Sequence, residues 1–434
     1  MLNYGCSVNK AEGEAMAGVL IKNGFELVKS EDEADIVVVN TCGVKTPTEN
    51  KILNRLSTIE KSKKIIVTGC LPKIIGVEKI VGVREVDGIL GPAVGEEIIE
   101  AVKKVLEGIK YIDLNGGNFS NLLPCFRENK VIGKIVISQG CKGACSYCAT
   151  RFARGMLKSY SIDEIVSAIM MRINEGAKEI WLSSQDNSIY GLDRGNNIVE
   201  LLEKISQINR LFLVRIGMMN PLGILKHIDD LIGILKREKF FKFVHIPLQS
   251  GSNKVLKDMN RGYSIEDFME IISRIRKDIP NVSIETDIIV GYPTESDEDF
   301  EETLRVISEI KPDFLNISKF YPRPNTPAFK LPKLSTQKIS ERSRKLSEIS
   351  SKIKEERNRI WIGWEGLVII DEIGTVPGSF IARNIYYKPV VIKQPVKLGS
   401  FAIVRVTSCK PNFLIGEVIK NGLKEEEVLN LLRN

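Results

Sequence analysis

The sequence contains little histidine and no long apolar run. Its two histidines, His227 and His245, lie far along the chain from the stretch that concentrates cysteine, so a metal site in that stretch has to be built from sulfur. No apolar run approaches the length of a membrane span, and Met1 to Tyr4 leads into polar sequence without the pattern of a signal peptide. These absences predict a cytoplasmic protein with no membrane partner.

Three of the eight cysteines form a C-x3-C-x2-C array at Cys141, Cys145 and Cys148. In a reducing cytosol such thiols are better explained as metal ligands than as disulfide partners. Three sulfur donors within eight residues must converge on one centre, and thiolates favour iron–sulfur clusters or zinc. In a four-iron cluster, three cysteines leave one iron open to another ligand. A structural zinc or unpaired core thiols are the alternatives that the spacing leaves open.

The amino-terminal third alternates helical and strand patterns. A helix is expected over residues 9–23, with Asn9 as its cap, and a short strand over 25–28. Further strands and helices are expected at 35–40, 47–59, 64–70 and 94–106. This pattern predicts a doubly wound α/β domain over residues 1–108. Its strand ends carry Cys42 and Cys70, with Cys6 before the first helix, so three thiols could meet at one edge; buried core cysteines are the alternative.

Residues 109–130 have the composition of a linker, and residues 131–359 then repeat strand and helix six times. This repeat predicts a partial (β/α)6 barrel of the TIM-like kind, with a ligand site at the carboxyl ends of the strands. Those ends are polar and glycine-containing, at residues 183–187, 215–221, 245–252 and 289–293. We therefore expect a binding site along this rim.

The net charge of +7 is concentrated in one stretch. Residues 319–359 contain 12 basic and four acidic residues, an excess of +8. Such a stretch suits a polyanion such as RNA, or it is a solvated helix with pairs such as Glu341 to Lys345. Beyond it, residues 360–422 contain five short strand patterns that predict a small β-barrel, followed by a tail over 423–434. Here Arg383, Tyr386, Tyr387 and Lys388 alternate cation and aromatic, as on nucleic-acid surfaces or at an ordinary hairpin edge.

Several segments together resemble one known family. The cysteine loop is followed by ARG at 153–155 and SY at 159–160, and later by HIPLQSGSNKVLKDMNRG, TDIIVGYPTESDEDFEET and FYPRPNTPA. These segments resemble the radical-SAM methylthiotransferases over nearly the whole chain, with the carboxyl-terminal strands similar to the RNA-binding TRAM barrel. TCGVKTPTE, RIGMMNP and RNIYYKPVVI resemble the archaeal and eukaryotic branch, which methylthiolates N6-threonylcarbamoyladenosine in tRNA beside the anticodon.

The resemblance implies two [4Fe-4S] clusters and S-adenosylmethionine as cofactors. Cys141, Cys145 and Cys148 would hold the cluster whose open iron binds S-adenosylmethionine. An auxiliary cluster would be held by Cys6, Cys42 and Cys70. The residues expected around S-adenosylmethionine are Tyr147, Ser184, Gln185 and Gln249. Cys125 and Cys409 match no motif and are expected to be structural.

The implied chemistry is radical, because no acid or base in a protein could deprotonate C2 of adenine, and it requires no imidazole general base. S-adenosylmethionine would yield a 5′-deoxyadenosyl radical that abstracts hydrogen from C2 of the adenine, and the auxiliary cluster would deliver a methylated sulfur to that carbon. The catalytic side chain is therefore unknown, and the scarcity of histidine fits. The implied partners are tRNAs that decode ANN codons, bound at the anticodon loop, with an electron donor protein and a sulfur source.

Two alternatives and one departure accompany this interpretation. Within the family, the substrate could be isopentenyladenosine in tRNA or a ribosomal-protein aspartate. In another class, the chain could be an RNA-binding protein with structural iron–sulfur clusters. The family's first strand normally precedes its Tyr-Gly-Cys motif, whereas four residues precede Gly5 here. We therefore expect that strand to be nearly absent or the true start to lie upstream, with Cys6 weakly anchored.

Overall fold

The amino-terminal region is a five-stranded parallel sheet covered by helices on both faces. The computed structural model describes residues 1–433, and the strands of this sheet lie in chain order. The strands are β1 (Leu2–Asn3), β2 (Ile36–Thr41), β3 (Lys64–Gly69), β4 (Gly88–Leu90) and β5 (Tyr111–Asp113). The helices are α1 (Ser7–Lys22), α2 (Thr46–Thr58), α3 (Leu71–Ile75), α4 (Val77–Val81) and α5 (Glu97–Leu106).

Alternate residues of the buried strands serve the two faces of this sheet. Val37 and Val39 pack with α2, whereas Val38 packs with α1 and α5. Because a strand alternates its side chains, a continuous apolar run is what a sheet covered on both faces requires. The expectation of a doubly wound α/β domain is confirmed.

Three local predictions in this region were wrong. Asn9 does not cap α1; it lies buried within the helix, and Cys6 occupies the cap position. Residues 25–28 form no strand, because they have no strand neighbour and the Phe25 amide instead bonds to the carbonyl of Leu20 at 3.1 Å. Residues 109–130 are not only a linker, since β5 lies within them and pairs with β4. A three-residue strand is too short to show a periodicity in the sequence.

The first strand is short but present. Leu2 and Asn3 pair in parallel with Val39 and Asn40 of β2, and the Tyr4 amide continues the ladder to the Asn40 carbonyl at 2.9 Å. This pairing brings the following Gly5 and Cys6 to the same edge of the sheet as the end of β2.

The central region is an open barrel of six parallel strands in chain order. The strands are β6 (Ile132–Val136), β9 (Glu179–Ser183), β10 (Leu213–Ile216), β11 (Phe243–His245), β12 (Ser283–Val290) and β13 (Phe314–Lys319), and an antiparallel hairpin of β7 (Ser138–Gln139) and β8 (Lys158–Ser159) follows β6. A parallel bridge between Val214 and Phe240 joins the two halves of the arc. The predicted partial (β/α)6 barrel is confirmed.

Helices surround these strands. They are α6 (Thr150–Arg154), α7 (Ile162–Asn174), α8 (Ile198–Ser206), α9 (Pro221–Leu225), α10 (Ile228–Leu235), α11 (Asn253–Asp258), α12 (Ile265–Asp278), α13 (Asp297–Ile310) and α14 (Thr336–Arg359). The helical segment between β10 and β11 is divided into α9 and α10, because His227, at φ −136° and ψ 24°, leaves the helical conformation between them.

The basic stretch forms the last loop of the barrel and α14, and much of its charge is paired within the protein. Arg342 pairs with Glu295 and Asp297, and Lys345 pairs with Glu301 rather than with the expected Glu341. Paired cations of this kind attach a helix to its neighbours. The stretch therefore agrees better with the amphipathic-helix interpretation than with a free RNA-binding stripe.

The carboxyl-terminal region is a closed five-stranded barrel in the order β14-β15-β16-β18-β17. Its strands are β14 (Glu365–Ile373), β15 (Phe380–Asn384), β16 (Pro389–Ile392), β17 (Phe401–Lys410) and β18 (Phe413–Lys420). The predicted small barrel is confirmed. The expected tail is a helix, α15 (Glu425–Arg433), whose Val428 packs with Phe241 and Tyr387 where this barrel meets the central one. Among the helices of residues 1–433, none is both long and apolar enough to cross a membrane.

Candidate active site

A single cavity of about 740 Å³ brings the predicted site residues together. It lies where the amino-terminal sheet, the rim of the central barrel and the carboxyl-terminal barrel meet. Its walls include the six cysteines of the two predicted triads and the four residues expected around S-adenosylmethionine: Cys6, Cys42, Cys70, Cys141, Cys145, Cys148, Tyr147, Ser184, Gln185 and Gln249. Residues separated by up to 243 positions in the chain thus line one cavity.

The cysteine loop at 141–148 is held by backbone geometry at its entrance. The β7–β8 hairpin pairs Ser138 with Ser159 and closes the loop at its base. Gly140 has φ +69°, and a Cβ there would stand 2.1 Å from the carbonyl oxygen of Met156. Only glycine fits this turn, because other residues would be both strained and obstructed.

Two N–H groups point at sulfur within this loop. The Gly143 amide donates to the Cys141 Sγ at 3.2 Å, and Arg261 Nη1 donates to the Cys145 Sγ at 3.1 Å. Burial raises the pKa of the Cys141 thiol to about 11, while the Gly143 amide opposes that shift. Donors of this kind favour the thiolate, which is the form that binds metal.

The amino-terminal cysteines stand at three loops on the same edge of the sheet. Cys6 precedes α1, Cys42 follows β2 and Cys70 precedes α3. Cys42 and Cys70 are buried, whereas Cys6 is exposed and donates only to the Asn9 side chain at 3.4 Å. Burial raises the pKa of Cys70 to about 12, against the lowering effect of the nearby Arg154 charge.

Arg154 links Cys70 of the amino-terminal triad to the segment that follows the 141–148 cysteine loop. Its Nε donates to the Cys70 Sγ at 3.2 Å, and its Nη atoms donate to both carboxylate oxygens of Glu12 at 2.7 and 2.9 Å. It also donates to Gln139 at 2.5 Å and Asn9 at 3.0 Å. Burial alone would lower the pKa of Arg154, but Cys70 and Glu12 raise it well above its ordinary value. The residue therefore stays a cation while joining α6 of the central barrel to α1 of the sheet.

The lining of the cavity fits a ligand larger than one metal ion. Among residues 1–433, no three His, Cys, Asp or Glu side chains are arranged around a single-ion site. Several buried polar atoms on the walls have no hydrogen-bond partner: Ser183 Oγ, Ser184 Oγ, Gln185 Oε1, Asn187 Oδ1, Gln249 Oε1 and Arg261 Nη2. Unpartnered buried polar atoms are rare in proteins, and a polar ligand in the cavity would satisfy them.

Gln249 is held in an unusual backbone conformation. Its φ is +72°, in the left-handed region that glycine prefers. Hydrogen bonds on both sides enforce it: the Gln249 amide donates to Asp287 O at 2.7 Å, and the Ile289 amide donates to Gln249 O at 2.9 Å. Strain enforced in this way is typical of residues that are aimed at a ligand.

Other functional residues were not singled out from the sequence. Arg154 and Arg261 line the cavity and contact cysteine sulfurs, and Glu12, behind the wall, pairs with Arg154. Strands of the barrel contribute four more lining residues: Arg215, His245, Glu285 and Asp287. Arg215 and His245 lie inside RIGMMNP and HIPLQSGS, so their signal was present. No sequence pattern marked Glu12, because a buried acid within a helix is recognised as functional only when its partner is known.

The expected cation-aromatic surface at 383–388 was placed wrongly. Arg383 and Tyr387 line the inner cavity, and Lys388 is only 1% exposed and pairs with Asp313 at 2.7 Å. The left-handed φ of +63° at Tyr387 turns the hairpin so that this side chain enters the domain interface. Alternating cations and aromatic rings predict a contact surface but not its partner, and here the partner is the central barrel rather than a nucleic acid.

Comparisons with known proteins agree with this architecture. The family model described as "Uncharacterized protein family UPF0004" matches residues 1–91, "Radical SAM superfamily" matches 135–307, and "TRAM domain" matches 362–419. Among solved structures, the radical S-adenosylmethionine methyltransferase TsrM from Kitasatospora setae has a TM-score of 0.55 and 13% identity, covering 76% of this chain and 71% of that chain. At this identity the likeness concerns the fold.

Relatives match almost the whole chain. The probable threonylcarbamoyladenosine tRNA methylthiotransferase of Pyrococcus horikoshii is 42% identical over 422 residues, which are 96% of this chain and 98% of that protein. The threonylcarbamoyladenosine tRNA methylthiotransferases of Xenopus laevis and Homo sapiens are each 35% identical, over 96% of this chain and 76% and 73% of those proteins. The resemblance in the sequence is confirmed, and the chain belongs to the radical-SAM family of threonylcarbamoyladenosine tRNA methylthiotransferases.

Proposed function

We propose that this protein is a tRNA methylthiotransferase that converts N6-threonylcarbamoyladenosine at position 37, on the 3′ side of the anticodon, to its 2-methylthio derivative. One observation carries the proposal: two cysteine triads from different domains line a single cavity. Two centres that share a cavity can act on the same carbon atom. The substrate is proposed from the relatives that match almost the whole chain, whose names specify threonylcarbamoyladenosine in tRNA.

In this proposal each triad holds one [4Fe-4S] cluster. Cys141, Cys145 and Cys148 hold the cluster that also binds S-adenosylmethionine, and Cys6, Cys42 and Cys70 hold the auxiliary cluster. When bound, these groups supply a 5′-deoxyadenosyl radical and a methylated sulfur. The chain's own residues then have two tasks, which are to stabilise thiolates and to orient the ligands.

Arginines perform the first task. Arg154 and Arg261 each bring a guanidinium N–H to within 3.2 Å of a cysteine sulfur, at Cys70 and Cys145. Burial raises the free energy of a cysteine thiolate, and a cation beside the sulfur lowers it again. The second task falls to Tyr147, Ser184, Gln185 and Gln249, which line the cavity where S-adenosylmethionine would bind. Among residues 1–433, Ser184 Oγ, Gln185 Oε1 and Gln249 Oε1 are buried there without a hydrogen-bond partner.

The domains divide this work. Residues 1–108, whose sheet is completed by β5, carry the auxiliary cluster, 131–359 the radical chemistry and 360–422 the contacts with RNA. The rest of 109–130 connects the first two regions, and 423–434 follows the last. The substrates are tRNAs that decode ANN codons, approached through the anticodon loop. The electron comes from a separate donor protein and the sulfur from a separate source.

Anaerobic reconstitution with iron and sulfide, followed by mass spectrometry of tRNA nucleosides, tests this proposal. With S-adenosylmethionine, sulfide and a strong reductant, we expect a methylthio increment on threonylcarbamoyladenosine and about eight irons per chain. Cys145→Ala and Cys42→Ala should each lose about half of the iron and all of the product. Cys125→Ala is the matched control, because this cysteine does not line the cavity.

Other outcomes would point elsewhere. Cleavage of S-adenosylmethionine without a modified nucleoside would keep the radical chemistry and refute the substrate. If the iron binds fully but S-adenosylmethionine is never cleaved, the clusters are structural and the enzyme proposal is wrong.

A further inference from the structure

The cavity extends from the cysteines to a second wall deep in the barrel. The cysteines stand beyond the carboxyl ends of the strands, whereas Trp181, Arg215 and Glu285 line the cavity from within β9, β10 and β12. Arg383 and Tyr387 of the carboxyl-terminal barrel close this wall, and the Tyr387 ring contacts Phe241 and Phe243 with ring centroids 4.8 and 4.9 Å apart. The TRAM barrel thus supplies part of the cavity itself.

Arg215 is the central residue of this wall. Its guanidinium carbon lies 5.3, 5.0 and 5.3 Å from the ring centroids of Trp181, Phe243 and Tyr387. Three rings around one cation fix its position and leave an edge of the planar group for hydrogen bonding. The residue is therefore held like a binding group rather than like a mobile surface arginine.

The donors of Arg215 are poorly used. Within residues 1–433, its only ion pair is a long contact of 3.4 Å from Nη2 to Glu285 Oε2, and its Nε is buried without a partner there. Arg383 beside it is fully engaged, with Asp371 at 3.1 Å and Glu372 at 2.8 Å. Arginine carries five N–H donors that match a carboxylate in a two-pronged geometry. Arg215 therefore has the capacity to take an anionic ligand.

The neighbouring acids do not fill this capacity. Glu179 accepts a hydrogen bond from the Tyr387 hydroxyl at 3.1 Å, and burial raises its pKa. Asp371 is paired with Arg383. Asp287 is occupied by His245 at 2.9 Å. Burial alone would lower the pKa of His245, but Asp287 and Glu285 raise it.

We propose that Arg215 binds the carboxylate of the substrate's threonylcarbamoyl group, with Arg383 and Tyr387 as positioning residues. This inference rests on the proposed function. The carbon to be modified, C2, must face the cysteines, and the threonylcarbamoyl chain leaves the adenine from N6, at another corner of the ring. The chain is thereby available to the wall that lies away from the clusters. Its terminal carboxylate is an anion that a guanidinium recognises, and unmodified adenosine lacks it.

Paired substrates test this assignment. One anticodon stem-loop carries threonylcarbamoyladenosine, and a second carries the same group with its carboxylate converted to the primary amide. Affinity is measured by fluorescence anisotropy on reconstituted enzyme with S-adenosylmethionine and no reductant, and kcat/KM is measured with reductant. We expect wild type to prefer the acid by about 10- to 150-fold, the range of a charged hydrogen bond.

The variants isolate the residue. Arg215→Gln should weaken binding of the acid by about the same 10- to 150-fold and leave binding of the amide unchanged, so that the preference disappears. Arg215→Lys keeps the charge without the fork and should fall between the two, which also covers the case in which the glutamine variant does not fold. Arg237→Gln is the matched control, because Arg237 is a surface arginine that pairs with Glu203.

Three results would overturn the assignment. Equal affinity of wild type for acid and amide would show that no carboxylate is read. Equal loss of both substrates in Arg215→Gln would show a structural role. If Arg215→Gln has a higher KM for S-adenosylmethionine than wild type in cleavage assays without RNA, Arg215 binds the carboxylate of that cofactor instead. If wild type adds no methylthio group to the acid substrate, the proposed function fails, while the acid-over-amide affinity still tests Arg215.

Discussion

Replacing Arg154 with methionine tests how the two cysteine triads are held together. Arg154 and Glu12 form an ion pair whose side chains are 1% and 2% exposed, across the boundary between the amino-terminal sheet and the central barrel. Arg154→Met removes the guanidinium at similar length and leaves the Glu12 carboxylate buried with one remaining donor, Gln139, at 3.0 Å. A buried charge that loses its partner is strongly destabilising.

The expected magnitude follows from this burial. Removing one member of a buried ion pair costs about 3–5 kcal/mol, which corresponds to a population of opened states about 150- to 5,000-fold larger. The opening should be local to α1 and the cysteine loop, because these are the elements that Arg154 joins. The double variant Arg154→Met with Glu12→Gln should recover much of the loss, since no unpaired charge remains.

Hydrogen–deuterium exchange read by mass spectrometry measures this opening. Peptides from residues 7–22 and 139–155 should exchange faster in Arg154→Met, and peptides from the carboxyl-terminal barrel should not change. Arg405→Met is the control, because the Arg405–Glu365 pair is 58% and 46% exposed and should contribute at most about 1 kcal/mol. If Arg154→Met exchanges like Arg405→Met, the buried pair does not organise this boundary and the reasoning is refuted.

Two further predictions concern the loop entrance and acid stability. Gly140→Ala should reduce iron content and thermal stability more than Gly155→Ala, since both glycines have positive φ but only Gly140 has backbone in the way of a Cβ; equal effects would mean that strain alone matters, at about 1 kcal/mol. Burial alone would raise the pKa of Asp299, but hydrogen bonds from Lys254 and Ser252 lower it from 3.8 to about 2. Because the pKa is lower in the folded state, the ionised carboxylate stabilises the fold above about pH 4, and this stabilisation is lost as the pH falls towards 2. Asp299→Asn should therefore lower the free energy of unfolding of the cluster-free protein by about 1–2 kcal/mol at pH 7, as measured in urea. The difference between wild type and variant should become smaller below pH 4. A gap independent of pH would contradict this.

The fold could be predicted largely because its strands are buried on both faces. Runs such as residues 36–39 and 65–67 are apolar throughout, and only a covered parallel sheet or barrel accepts them. The failures were local. Residues 25–28 have the composition of a strand, yet strand formation depends on a neighbour that the segment itself does not encode. The three-residue β5 likewise exists only through its pairing with β4.

The site divides in the same way. Short spacings located Cys141, Cys145 and Cys148, and the family resemblance added Cys6, Cys42 and Cys70, whose meeting depends on strand order. Arg154 and Arg261 lie inside the quoted segments ARG and HIPLQSGSNKVLKDMNRG, but their roles could not be predicted, because each arginine gains its role from the sulfur and acid that the fold brings to it. Tyr387 was assigned to a surface because pattern alone does not distinguish RNA from another domain as its partner.

The most direct test of the account uses tRNA whose threonylcarbamoyladenosine carries deuterium at C2. The account predicts that one deuterium appears in 5′-deoxyadenosine for each methylthiolated nucleoside formed, and that Cys125→Ala behaves like wild type. Methylthiolation without transfer of deuterium would mean that the cavity does not abstract hydrogen from C2, and the central claim would be wrong.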